Sequence, residues 1–168
     1  SDSYLAPMAA LAEDEGVPYE GKTMDGKNFE EIVKDVHESD YDLAVLGVLG
    51  VGAVKQSRAG SVCERMLRRT QVDSLLVRDP EAAAWDVAGD IVVALDGSAW
   101  SWGALDAAAR TAAVTGRALE IVVVHEEERA GESLLDEHLK LARKAMKARG
   151  LKVRSTTLDG PVVETLTA

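Results

Sequence analysis

With 168 residues, 46% of them apolar, the chain is long enough for a domain with a core and is not a disordered polymer. A formal charge of −10, from 29 acids against 19 bases, disfavours nucleic acid and anionic lipid as partners, and no apolar run approaches the roughly 20 residues of a membrane span. The acidic start SDSYLAPMAALAEDEG is unlike a signal or transit peptide, and the single cysteine, Cys63, permits no internal disulfide, so a cytoplasmic protein is expected.

Residues 4–15 carry Leu5, Met8, Ala9, Leu11 and Ala12 at helical spacing, with Pro7 in the first turn and Gly16 as a C-cap. The short alternating stretch 17–24 predicts a strand, and Asp25-Gly26 a turn. FEEIVKDVHES then places Phe29, Ile32, Val33 and Val36 on one helical stripe, with His37 just past it as a surface residue. The apolar run 43–46 predicts a short buried strand, followed by the loop GVLGVGAVKQSRAGS, a helix to about Thr70, and a strand at 74–77. Arg65, Arg68 and Arg69 are the one basic cluster read here, and their spacing makes them a solvated helix face. RDPEAAAWDVAGD reads as a linker.

The glycine loop joins a strand to a helix, which leaves backbone N–H groups and a helix dipole facing whatever anion approaches. It is not a Walker loop, since Ala53 follows Gly52, and the dinucleotide fingerprint fails where Lys55 stands in place of its third small residue.

A second block follows. Residues 91–95 predict a strand; Leu105, Ala108, Ala109 and Ala112 mark a helix capped by Ser98 or Ser101 and ended by Gly116; 119–124 predict another strand. After an acidic loop, a helix covers about 134–149, Gly150 ends it, and LKVRSTTLDGPVVETL gives strand, turn and helix start. An offset of 134 superposes Gly16 on Gly150, Thr23 on Thr157, Asp25 on Asp159, Gly26 on Gly160 and Glu30 on Glu164 without a gap, which argues for an internal duplication.

Gly47, two residues, Gly50, nine residues, Gly60, Ser61: this spacing resembles the nucleotide-binding signature of the universal stress protein family, G-x2-G-x9-G-[ST]. IVVALDGSAWSWGALDAA resembles that family's first strand and helix, and VVVHE its second strand, with Glu126 where an apolar residue is usual. The resemblance implies an α/β, three-layer fold: an open parallel five-stranded sheet, strand order 3-2-1-4-5, with helices on both faces. On this mapping residues 1–79 supply the C-terminal part of a first repeat, from its second helix to its fifth strand. Residues 80–89 are a linker, and 90–168 supply the N-terminal part of a second repeat. Each part alone leaves an open edge and apolar faces. The parts are complementary, so one composite domain is expected, circularly permuted within a chain or swapped between two chains.

In such a sheet ligands bind outside the carboxyl ends of the strands where strand order reverses. The resemblance implies that Asp96 and the backbone near Ala94 recognise adenosine, while Gly47, Gly50, Gly60, Ser61 and the N–H of Val62 hold ribose and phosphates. ATP, with magnesium, is the implied cofactor and a homodimer the implied assembly. Asp96 has an alternative role as the cap of its turn, and Ser98 as a helix cap. Val48 and Leu49 stand where ATP-binding members usually have polar or basic residues; Lys55 or Arg58 are the available replacements. Trp100 and Trp102 fit a helix staple or a dimer contact better than adenine packing. His125, His138 and Cys63 lack metal-ligand spacing, and no catalytic set is recognisable. Two functions follow: an adenine-nucleotide-binding regulatory module with at most slow ATP hydrolysis, or a module that binds no nucleotide and dimerises through 74–77.

Overall fold

The computed structural model describes residues 5–48, 60–78, 89–126 and 133–167. The chain divides into two compact units, residues 1–86 and 87–168.

The first unit contains α1 (Ala6–Asp14), α2 (Asn28–Glu38), β1 (Leu43–Gly47), α3 (Ser61–Arg69) and β2 (Asp73–Val77). β1 and β2 run parallel in register from Leu43 opposite Asp73 to Gly47 opposite Val77. Proline in the first turn of α1 costs no helix hydrogen bond, and Gly16 beyond its end takes φ +65°, the left-handed conformation glycine reaches without strain. Between α2 and α3 the guanidinium of Arg65 lies 4.5 Å and that of Arg69 5.6 Å from the centre of the Phe29 ring. His37, exposed as expected, meets the Arg69 carbonyl at 2.9 Å, where the last carbonyls of α3 lack helical partners.

The second unit contains β3 (Ile91–Ala94), α4 (Ala99–Thr115), β4 (Leu119–His125), α5 (Leu134–Ala148), β5 (Val153–Asp159) and α6 (Val162–Thr167). Its parallel sheet has the order β3-β4-β5. Leu105, Ala109 and Ala112 of α4 and Leu139, Ala142 and Met146 of α5 bury against Val93, Leu119, Ile121 and Val123. Alternation along β4 puts Leu119, Ile121 and Val123 on this face and Val122 and Val124 on the other. Ser98 caps α4 by accepting from the Ser101 amide at 3.2 Å, and Gly116 ends it at φ +68°. At α5 the Ser133 side chain accepts from the Asp136 amide while Asp136 accepts from the Ser133 amide at 2.9 Å, a reciprocal capping box.

The five strands lie in two parallel sheets, not in the single five-stranded sheet expected. Every pairing present joins strands linked by one crossover helix, namely β1-α3-β2, β3-α4-β4 and β4-α5-β5. One missing pairing is that expected between the family's first and fourth strands, which no single crossover imposes. A second correction concerns 17–24, expected as a strand and found outside any strand. Its counterpart at an offset of 134 falls on β5, which pairs with β4 over seven residues. No strand among the described residues pairs with 17–24; the segment is tied instead through Lys22, 3.2 Å from Asp35 and 3.1 Å from the Tyr41 hydroxyl. A third correction concerns β1, expected as a short buried strand: Leu43 is 52% and Val45 57% exposed.

Positions 134 apart have matching backbone geometry even where pairing differs. Gly16 and Gly150 have φ +65° and +78°, and Gly26 and Gly160 have φ +145° and +132°. A Cβ on Gly26 would come within 2.7 Å of Glu31, and one on Gly160 within 2.8 Å of Thr165, residues related by the same offset.

Candidate functional site

The expected site residues fall in both units, and each group has its own geometry. In the first unit the end of β1 is locked to the start of α3. The Gly60 amide donates to the Val48 carbonyl at 2.8 Å, and the Cys63 thiol donates to the Gly47 carbonyl at 3.1 Å. Gly60 has φ −70°, which any residue adopts, so its small size matters for a different reason: a Cβ there would stand 2.9 Å from the Val48 carbonyl oxygen. Gly47, Gly60, Ser61 and Val62 are thereby gathered where β1 ends and α3 begins. The Gly60 N-cap offers no side chain to the helix, so the first-turn amides of α3 have no side-chain cap. That leaves a helix N-terminus able to receive an anion. Gly50, Leu49, Lys55 and Arg58 lie outside the described residues. Val48 is 3% exposed: in place of a polar group the loop begins with a core side chain.

In the second unit a cavity of about 340 Å³ opens beyond the carboxyl ends of β3 and β4. Ala94, Leu95 and Asp96 line it from β3 and the turn after it; Ser98, Trp100, Ser101 and Ala104 from the start of α4; Val122 and Val124 from β4; and Val162 and Leu166 from α6. Asp96 accepts from the Ser98 amide at 2.9 Å, so the turn-capping role is real. The Ser98 hydroxyl, followed by the Ser98 amide and the Ser101 hydroxyl, holds the Asp96 carboxyl down to about 2. It is therefore ionised at neutral pH, and among the described residues no lysine, arginine or histidine lines the cavity with it. A site with apolar walls, two hydroxyls and one fixed carboxylate suits an uncharged ring carrying hydroxyl groups better than a phosphate.

Sequence reasoning missed the contribution of α6. Its apolar residues had no distinguishing signal until β5 carried them to the rim. It also misread the tryptophans as a pair. Trp102 packs on the core and its indole N–H donates to His138 Nδ1 at 3.2 Å, whereas Trp100 is 89% exposed. An indole so open to water cannot serve as a staple. His138 in turn lies 3.4 Å from where a Cβ on Gly97 would be, packing α5 against the Asp96-Gly97-Ser98 turn. His125 is buried, with Nε2 3.1 Å from Asp136 and Nδ1 without a partner among the described atoms. The arginines of α3 are also not the sole basic cluster: Lys140, Arg143, Lys144 and Lys147 share one face of α5. No helix among the described residues is long and apolar enough to cross a membrane.

A model of the universal stress protein family matches residues 2–78. No curated protein sequence matches the chain. A universal stress protein from Archaeoglobus fulgidus DSM 4304 superposes over 95% of this chain and 58% of its own, with 23% identity and a TM-score of 0.73. A functionally unknown protein from Pseudomonas aeruginosa PAO1 superposes over 95% of this chain and 59% of its own, with 18% identity and a TM-score of 0.63. A universal stress protein solved in complex with cAMP covers 46% of this chain and 64% of its own, with 23% identity and a TM-score of 0.38. The chain thus spans less than two thirds of these structures, and the two longer alignments establish a shared α/β fold. The family match covers residues 2–78, with the G-x2-G-x9-G-S spacing that ends at Ser61 inside it, and over that stretch the chain is similar to universal stress proteins.

Proposed function

We propose that the chain is an adenine-nucleotide-binding regulatory module whose ligand is ATP, with magnesium as its counter-ion. The observation that carries the reading is the second-unit cavity, in which an ionised, turn-held Asp96 stands among apolar walls at the carboxyl ends of parallel strands. Its volume lies within the range of small-molecule sites, and its polarity fits a base and a ribose. In this reading Asp96 accepts from ribose hydroxyls and the backbone at Ala94 meets the base. Gly47, Gly50, Gly60, Ser61 and the Val62 amide take the phosphates, for which the α3 N-terminus without a side-chain cap supplies donors and the dipole a favourable field. The first unit offers anion chemistry and the second offers nucleoside chemistry.

Calorimetric titration of the full chain with ATP and magnesium tests the proposal. Saturable heat and a rise in melting temperature, as mass action requires, are expected; neither appearing at millimolar ATP would remove it. A second reading, a dimerising module that binds no nucleotide, draws on the buried Val48 and on the apolar side chains Leu43 and Val45, each more than half exposed. In that reading β2 forms the interface between copies. Light scattering on Leu76→Lys decides it: an unchanged mass argues against this interface.

A further inference from the structure

Trp100 stands two residues after the N-cap Ser98 and lines the cavity with its indole 89% exposed. Trp102, two positions on, points about 200° round the helix and occupies the core. Helix geometry therefore forces the rings apart: one is structural, and the other is left open among the described residues. The same cavity is lined by Val162, 36% exposed, and Leu166, 42% exposed, which add apolar surface from α6. Asp96 is ionised in the same cavity and no cation lines it among the described residues, so a phosphate is disfavoured there and a neutral flat ring is admitted.

We propose that Trp100 is the stacking wall of this cavity, closing on the purine ring of a bound nucleoside or nucleotide and favouring purines over the smaller pyrimidines. The proposal rests on the nucleotide reading above and deepens it: it names the end of the ligand that enters the second unit and the residue that selects it. Aromatic stacking on a base is worth roughly a five- to hundredfold change in affinity. The effect falls equally on adenosine and on ATP, because the ring they share is what Trp100 touches.

The test uses the full chain and three probes: adenosine, ATP with magnesium, and inorganic tripolyphosphate. Binding is followed by calorimetry and by tryptophan emission. Trp100→Ala is expected to weaken adenosine and ATP by the same factor, five- to hundredfold, and to leave any tripolyphosphate binding unchanged. Trp100→Phe recovers most of the affinity but lacks the ligand-induced emission change of the native chain. Since the side chain is exposed, thermal melts of both variants match the parent, which separates loss of binding from loss of folding. Adenosine bound equally well by the parent and by Trp100→Ala overturns the stacking role while leaving nucleotide binding intact. A fall in solution mass with unchanged ATP affinity also overturns it, assigning the ring to a contact between copies. A parent chain that binds neither adenosine nor ATP overturns both this inference and the reading beneath it.

Discussion

Asp96 is the residue on which the nucleotide reading turns, and its environment sets the size of the expected effect. One carboxylate oxygen, Oδ1, accepts from the Ser98 amide at 2.9 Å, and a ribose hydroxyl would share the remaining acceptor sites with the Ser98 and Ser101 hydroxyls. A hydrogen bond to a charged group contributes about 1.5–3 kcal/mol, so losing it weakens binding by roughly 10- to 150-fold. Asp96→Asn retains an oxygen for the Ser98 amide and removes the charge; Asp96→Ala removes both and also loosens the turn, by about 1 kcal/mol. Calorimetric titration with ATP and magnesium at neutral pH should therefore order the affinities parent, Asn variant, Ala variant, with the melting temperature reduced chiefly in the last. Acid separates the two roles further. Because the folded-state pKa lies at about 2, below the ordinary 3.8, the stabilising effect of the carboxylate is present above pH 3.8 and is lost as pH falls towards 2. Between those values the melting temperature of the parent should fall more steeply than that of Asp96→Asn. An Ala variant that binds ATP within twofold of a binding-competent parent would refute the reasoning.

Three further outcomes follow from the packing. Met66 is fully buried in the first unit, so Met66→Ala is expected to cost about 2–5 kcal/mol of that unit's stability in denaturant melts. Gly60→Val places a branched side chain against the Val48 carbonyl oxygen, already 2.9 Å from an ideal Cβ; overpacking of about 1–3 kcal/mol and weakened ATP binding with unchanged adenosine binding are expected in parallel titrations. Ser133→Ala removes half of the capping box on α5 and is expected to lower stability by about 1 kcal/mol, read by urea unfolding.

Local rules sufficed wherever the structure is local. The helical stripes at Phe29–Val36 and Leu105–Ala112, the Ser98 cap and the left-handed glycines at 16, 116 and 150 depend on interactions within a few residues, and each was legible in the chain. The same holds for the three crossover pairings, because one helix between parallel strands fixes their adjacency. The offset of 134 was equally visible, and it carried the conformations of Gly26 and Gly160 with it.

What needed a tertiary partner was not legible. Residues 17–24 alternate as a strand does, yet a strand exists only when another lies beside it, and none among the described residues does. The run 43–46 reads as buried on both faces because composition reports hydrophobicity, whereas exposure depends on how many layers the unit supplies. The burial of Trp102 and the arrival of Val162 and Leu166 at one cavity are likewise products of packing. Sequence determined the repeating strand-helix units and the small residues at the turn from β1 into α3, because those follow from backbone stereochemistry. The three-dimensional structure alone decided which strands found partners, which aromatic ring stayed in water, and that residues of β4 and α6 line one pocket with Asp96, because each is a property of neighbours distant along the chain.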